Sequence, residues 1–351
     1  MLYNSLNPHG GDIYTHKIDM DFSANINPLG TPPGVLTAMQ KSLSQSARYP
    51  DPFCREAISA VSAYEGVCLE DVLPGNGAAE LIYSFCQTVT TKKALIPIPT
   101  FSEYESALNQ NGCNVILYCL KPENKFELDK GFYETIEEEK PDVVFLCNPN
   151  NPTGKLADPD LICEIVKLCE FLKIKFFVDE CFMELTGKNY SVVPQIAEHS
   201  SLIILKALTK SYGLAGIRAG YCLSSDHDLL YRMSQTVQPW NVSVVAQAAI
   251  PAALKEKKYL EKSVSLIKKE RKFLTESLTD LGLSVITSDA NFILFMAPVG
   301  LDLSLLSKGI AIRNCSNFVG LGPGWYRIAV RRHEENKILI RMIRQILEEG
   351  K

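Results

Sequence analysis

The 351-residue chain contains no apolar run approaching about 18 residues, which argues against a membrane-spanning helix. It contains no block of lysines and arginines, and its formal net charge is −4. Nucleic acid and anionic membrane surfaces are therefore poor partners for it. Eleven cysteines are present, an odd number, yet none form a CxxC pair or a metal-like spacing. Several, such as Cys86, Cys147 and Cys222, lie in apolar runs and read as small core hydrophobes. There is no internal repeat and no low-complexity tract. Met1-Leu2-Tyr3-Asn4-Ser5 offers neither the basic head nor the apolar body of a secretory signal. These absences predict a cytoplasmic protein with reduced thiols and no metal, membrane or nucleic-acid partner.

What is present is an ordinary globular composition, 46% hydrophobic and 22% charged, in a chain long enough for one large or two medium domains. Short apolar strands alternate with helices. Strands are expected at Ala94 to Ile98, Val115 to Leu120, Val143 to Cys147, Ile174 to Val178 and Leu202 to Leu205. Helices are expected at Cys54 to Tyr64, Phe101 to Asn111 and Asp160 to Leu172. That alternation predicts an α/β fold with a mostly parallel sheet covered on both faces. A long Lys/Glu-rich helical region, Val244 to Leu281, with room for breaks, follows and suits a connection between domains. The tail reads as a small α/β unit, with strands near Asn291 to Met296 and Trp325 to Val330 and a last helix from Glu334 to Glu349. Near the start, Pro8 to Asp12 reads as an extended arm and Asp21 to Gly30 as a short strand running into turns.

Ligands of such sheets bind beyond the carboxyl ends of the strands. Asn151, Asp179 and Lys210 all fall just past such ends. Lys210 opens a glycine-rich loop that ends at Arg218. Partial burial lowers a lysine from its usual value of about 10.4, and the neutral amine attacks aldehydes to form a Schiff base. Arg218 is a planar cation suited to phosphate. Gly75-Asn76-Gly77 before a helix offers free backbone N–H groups to an anion. Asp179, at a buried strand end, needs a partner, and a protonated ring nitrogen is one. Asn151 is placed to donate to a ring oxygen, and Phe101 to stack on a ring face. Each feature taken singly also reads as a turn or core residue. Their convergence matches the binding logic of pyridoxal 5'-phosphate.

With these residues in place, the chain resembles the fold-type I pyridoxal-phosphate enzymes of the aminotransferase superfamily, over nearly its whole length. The marks are Gly75 to Gly77, Asn148-Pro149-Asn150-Asn151-Pro152-Thr153-Gly154, Asp179, Thr209-Lys210 and Arg218. Within the superfamily it is most similar to the histidinol-phosphate aminotransferases and to the L-threonine-O-3-phosphate decarboxylases of cobalamin biosynthesis. His9-Gly10-Gly11, Phe22 to Gly30, Arg48-Tyr49-Pro50-Asp51, Ile312 to Cys315 and Tyr326 to Arg331 look like the decarboxylases.

The resemblance implies a large domain, residues 46–243, with a mostly parallel seven-stranded sheet. Residues 1–45 and 244–351 form an N-terminal arm and a smaller α/β domain. It also implies roles. Lys210 forms the Schiff base and Asp179 pairs with the ring nitrogen, as the catalytic pair. Gly77, Ala78, Thr209 and Arg218 bind cofactor phosphate, while Phe101 and Asn151 contact the ring. Tyr49 reaches the phosphate of the neighbouring subunit of a homodimer whose sites lie at the interface. Arg327 takes the substrate carboxylate. Arg313, in a looser segment before Cys315, closes on the phosphorylated end with His9, Gly10 and Asn25. Arg331 shares Arg327's strand face by even spacing and is a weaker candidate. Two departures stand out. Ala207 replaces a frequent phosphate-binding serine, and Phe182 replaces a frequent tyrosine. The expected reaction is decarboxylation of a phosphorylated amino acid. A histidinol-phosphate-type aminotransferase is the alternative, and a non-catalytic binder of this fold is a third reading.

Overall fold

The computed structural model describes residues 9–349 of the chain. Its centre is a seven-stranded sheet in the order Val72–Asn76, Ala219–Leu223, Leu202–Ala207, Lys175–Asp179, Val143–Cys147, Lys93–Ile98, Asn114–Cys119. Only Ala219–Leu223 runs antiparallel to its neighbours; the other strands share one direction. The central strands are apolar at nearly every position and buried at nearly every position, because helices cover both faces.

Those helices form for local reasons. Pro159–Leu172 starts at Asp158, whose side chain accepts from the Asp160 N–H, with proline in the first turn. It buries Leu161, Ile162, Ile165, Val166, Leu168 and Cys169 along one stripe and stops at Lys173, which takes a left-handed conformation. Each such aliphatic side chain contributes about 1.5–3 kcal/mol by leaving water.

Two expectations need correction, and two further elements take definite form. Val72–Asn76 is a strand, although its proline and glycine read as a turn; it lies at the sheet edge, where proline is tolerated. Ala219–Leu223 is also a strand, hidden behind the glycines of the lysine loop. The helix expected from Phe101 spans only Glu103–Gln110. The helical region from Val244 has the break that its sequence leaves room for, and is two helices, Val244–Leu254 and Lys257–Asp280. The first is apolar all round and packs against Pro33–Ser42 and Arg55–Glu65.

A second core gathers Phe22, Leu274, Ile293, Phe295, Tyr326, Ile328, Leu339 and Ile343. It backs a four-stranded antiparallel sheet ordered Arg313–Asn314, Trp325–Ala329, Phe292–Met296, Ser284–Val285. Met20–Asp21 pairs in parallel with Ile310–Ala311 and so ties the N-terminal segment to the C-terminal one. His9 to Asp12 has no helix or strand; Pro8 and the first five residues lie outside the described residues. Among the described residues, no helix is long and apolar enough to cross a membrane.

Candidate active site

The carboxyl ends of three neighbouring strands, at Cys147, Asp179 and Ala207, open onto one cavity of about 240 Å³. Its wall includes His9, Gly10, Asn25, Ala78, Phe101, Asn151, Asp179, Thr209, Lys210, Arg218, Arg313 and Arg327. Segments separated by three hundred positions in the chain thus meet here. Gly77 sits beside the wall. Tyr49 is outside it, 78% exposed and stacked at 4.4 Å on Trp240.

The asparagine motif divides its labour. Asn148 accepts from the Ala157 N–H, and Asn150 donates to the Pro99 carbonyl, so both hold the loop. Asn151 alone turns to the cavity, where its Oδ1 accepts from the Arg327 guanidinium. Arg327 also donates to the Ser23 carbonyl at 2.8 Å, while its Nε has no partner. Burial lowers Arg327 to about 10, which still leaves it charged at neutral pH.

Arg313 is not in a loose segment. It lies in a short strand, and its Cα is the cross-strand partner of Arg327. Like charges placed directly opposite on a sheet repel, so this pair calls for anions between or beside them. Arg313 donates to Asn317 Oδ1 at 2.7 Å and lies over the Phe318 ring. Arg331 is past the end of the strand, and it pairs with Glu335 at 2.6 Å, which removes it as a candidate.

Asp179 is 5% exposed. Its Oδ1 accepts from the Cys181 N–H at 2.9 Å and its Oδ2 from the Tyr104 hydroxyl at 2.6 Å. Burial pushes its carboxyl up, and those two donors pull it back. Lys210 is lowered to about 8, first by burial and then by the Arg327 charge. Its Nζ sits 6.0 Å from the Phe182 ring centre.

Gly77 has φ +80°, and a Cβ there would lie 2.6 Å from the Arg218 guanidinium. The bare backbone lets Arg218 come down on the first turn of helix Gly77–Thr88. Gly10 is equally required, since a Cβ would meet the Ser23 carbonyl at 2.4 Å. His9 pairs with Glu103 at 2.9 Å. Asn25 is buried with its Oδ1 unpartnered. Ala207 and Phe182 both face the cavity, as do Tyr104, Cys147, Cys181, Ser23 and Phe318, which sequence reading missed. Tyr104 carried a signal, since a tyrosine inside an apolar helix stripe must find a partner for its hydroxyl.

A mostly parallel sheet with a lysine and a carboxylate just at its strand ends, faced across the cavity by paired arginines of the smaller antiparallel sheet, fits one class: the chain belongs to the aminotransferase class I and II family, whose model matches residues 17–343. More particularly, it is 36% identical to a putative threonine-phosphate decarboxylase of Caldanaerobacter subterraneus subsp. tengcongensis, covering 97% of this chain and 94% of that protein. It is 32% identical to the threonine-phosphate decarboxylase of Salmonella typhimurium, covering 99% and 98%. The histidinol-phosphate aminotransferase of Clostridium acetobutylicum superposes with a TM-score of 0.88 at 32% identity, covering 94% and 99%.

The cofactor of this family is pyridoxal 5'-phosphate, and the residues present fit it. Lys210 is an amine that sheds its proton as pH rises through about 8. Asp179 has lone pairs left over after its two donors. The backbone at Gly77, bare of a side chain, lies against the Arg218 guanidinium, as a phosphate requires.

Proposed function

We propose that the chain is a pyridoxal-phosphate-dependent carboxy-lyase acting on a phosphorylated amino acid. The substrate is L-threonine O-3-phosphate, giving 1-aminopropan-2-ol O-phosphate, or L-serine O-phosphate, giving ethanolamine phosphate, for the linker of the cobamide nucleotide loop. The names of the two decarboxylase relatives support the substrate class. The observation that carries the reading is the cross-strand pair Arg313 and Arg327, two guanidiniums on one cavity wall with Lys210 and Asp179. A substrate with a carboxylate and a phosphate relieves their repulsion.

The bound cofactor supplies an electron sink for the bond broken at the substrate's Cα. Lys210 holds it covalently, and Asp179 takes its ring nitrogen. Gly77, Ala78, Thr209 and Arg218 take its phosphate. Asn151 and Phe101 take its ring. Arg327, anchored by Asn151 and Ser23, fixes the substrate carboxylate in one direction. Arg313, with His9, Gly10 and Asn25, holds the phosphate end and excludes water.

Residues 46–243 serve as the large cofactor-binding domain; residues 1–45 and 244–351 serve as the arm and the smaller domain. The working form is a cytoplasmic homodimer. The stacked, exposed Tyr49 and Trp240, with Phe53 also exposed, form an aromatic surface for the second subunit, where Tyr49 meets the neighbour's phosphate. All eleven cysteines are free, as a reducing compartment requires.

A histidinol-phosphate-type aminotransferase is the second reading, favoured by the Clostridium acetobutylicum structure. Carbon dioxide release separates the two. The holoenzyme given L-threonine O-3-phosphate should release carbon dioxide without any 2-oxo acid. Turnover that requires 2-oxoglutarate, with no carbon dioxide, would establish the aminotransferase instead. One methyl is worth about 1–3 kcal/mol in an apolar pocket, so the serine ester should be a weaker but measurable substrate.

A further inference from the structure

Tyr104 is wholly buried, and its hydroxyl donates to Asp179 Oδ2 at 2.6 Å. Its ring is fixed from two sides. It stacks on Phe145 with centroids 5.3 Å apart, and it meets Phe101 edge-on at 5.7 Å. Phe101 lines the cavity three residues before it. One short segment therefore presents both the cavity aromatic and the donor to the carboxylate. Asp179's other oxygen accepts from the Cys181 N–H. Two donors in fixed positions hold the plane of the carboxylate and leave its remaining lone pairs for the cavity.

A buried tyrosine always needs a hydrogen-bond partner, so packing alone would explain some contact. It does not explain the choice of the one carboxylate at the bottom of the cavity. We propose that Tyr104 is a positioning residue whose hydroxyl keeps Asp179 ionised, and so keeps the proton on the cofactor's ring nitrogen. The inference rests on Asp179 facing that nitrogen.

The reason is a competition for one proton. Asp179 and the ring nitrogen both hold it well in a dry site. Burial favours the neutral carboxylic acid. If Asp179 took the proton, it would face an uncharged ring, and the electron sink would weaken. A hydrogen bond donated to the carboxylate favours the ionised form and opposes that transfer. Tyr104 is suited to donate at every working pH, since burial and the Asp179 charge hold its own hydroxyl far above the usual phenol range.

The test uses holoenzyme loaded with cofactor carrying nitrogen-15 in its ring, followed by NMR from pH 6 to 10. Wild type should keep the ring nitrogen protonated across the range. Asp179→Asn should lose that signal. Tyr104→Phe, which removes one oxygen, should bring the ring nitrogen's titration midpoint down by about one to two pH units, the tenfold to hundredfold effect of losing a hydrogen bond to a charged group. Replacing Tyr104 with 4-aminophenylalanine, which keeps the shape and an N–H donor, should restore part of the shift; it also serves if the phenylalanine variant folds poorly. A ring nitrogen unchanged in Tyr104→Phe but deprotonated in Asp179→Asn would reduce Tyr104 to packing and overturn the proposal. A ring nitrogen unchanged in Asp179→Asn would overturn the Asp179 reading together with it.

Discussion

Lys206 and Lys210 stand four residues apart at the end of one strand, both withdrawn from bulk water, and they end in opposite electrostatic states. Lys206 is 3% exposed. Its Nζ lies 2.9 Å from Glu180, 3.0 Å from Glu184 and 3.9 Å from Glu65. Burial pulls its pKa down, but the three carboxylates outweigh burial and hold it well above the usual lysine range. Lys210 meets Arg327 and Arg218 instead, and burial with those charges takes it to about 8. Burial is common to both, so the neighbours decide which lysine is a permanent cation and which is an available amine. The clamp around Lys206 also joins Glu180, the residue after Asp179, to the strand that leads to Lys210. It holds the two strand ends that carry the chemistry.

The comparison breaks most visibly in a substitution of Lys210. Lys210→Ala should lower turnover on the order of 10⁴-fold or more, the scale of removing a covalent nucleophile. The protein should still fold, and non-covalent cofactor should remain measurable by dialysis. Turnover within tenfold of wild type would mean that Lys206 or another amine can replace it. The three carboxylates around Lys206 argue against that.

Substituting Lys206 should give the converse result. Lys206→Met leaves Glu180, whose side chain is fully buried, beside two further carboxylates with no cation. Breaking a buried pair from one side costs about 3–5 kcal/mol, read as a lower urea midpoint. The loss should also depend on pH in a definite direction. A lysine raised above its unfolded value of 10.5 stabilises fully below that pH and stops doing so as pH climbs through its folded value. The difference between wild type and Lys206→Met should therefore be largest at neutral pH and shrink in strong alkali. A change under about 1 kcal/mol at neutral pH would show that the clamp is not charged as described.

Very little of this contrast could be read from residue order. Lys210 was legible because a glycine loop and an arginine follow it. Lys206 sits in an apolar strand, and nothing near it in sequence announces Glu65 or Glu184, which arrive from other elements. The same limit explains Tyr104, whose partner Asp179 lies 75 positions away. The edge strand Val72–Asn76 was hidden for a different reason. Proline and glycine are turn residues in most settings, and only its place at the sheet edge permits them. The long apolar strands, by contrast, needed no context, because a strand buried on both faces is written in its own composition.

The smallest effect is also the most direct comparison, since it reads both lysines in one sample. Acylating reagents take only neutral amines. The apoenzyme is exposed briefly to acetic anhydride between pH 6 and 10, and each lysine is quantified by mass spectrometry. Lys210 is depressed, so it sheds its proton as pH rises through about 8. Its labelling should rise about tenfold per pH unit below that point and level off above it, following the neutral fraction. A lysine at the ordinary 10.5 would still be rising at the top of the range. Lys206 should stay unlabelled throughout, for it is both closed off and protonated. Labelling of Lys210 that climbs without a plateau to pH 10 would mean that burial and the arginines beside it do not depress it. The neutral amine would then have to come from the bound cofactor and not from the fold. Pre-filling the anion sites with phosphate sharpens the point. An anion between Arg218 and Arg327 screens the two charges that depress Lys210, so the plateau should move to higher pH.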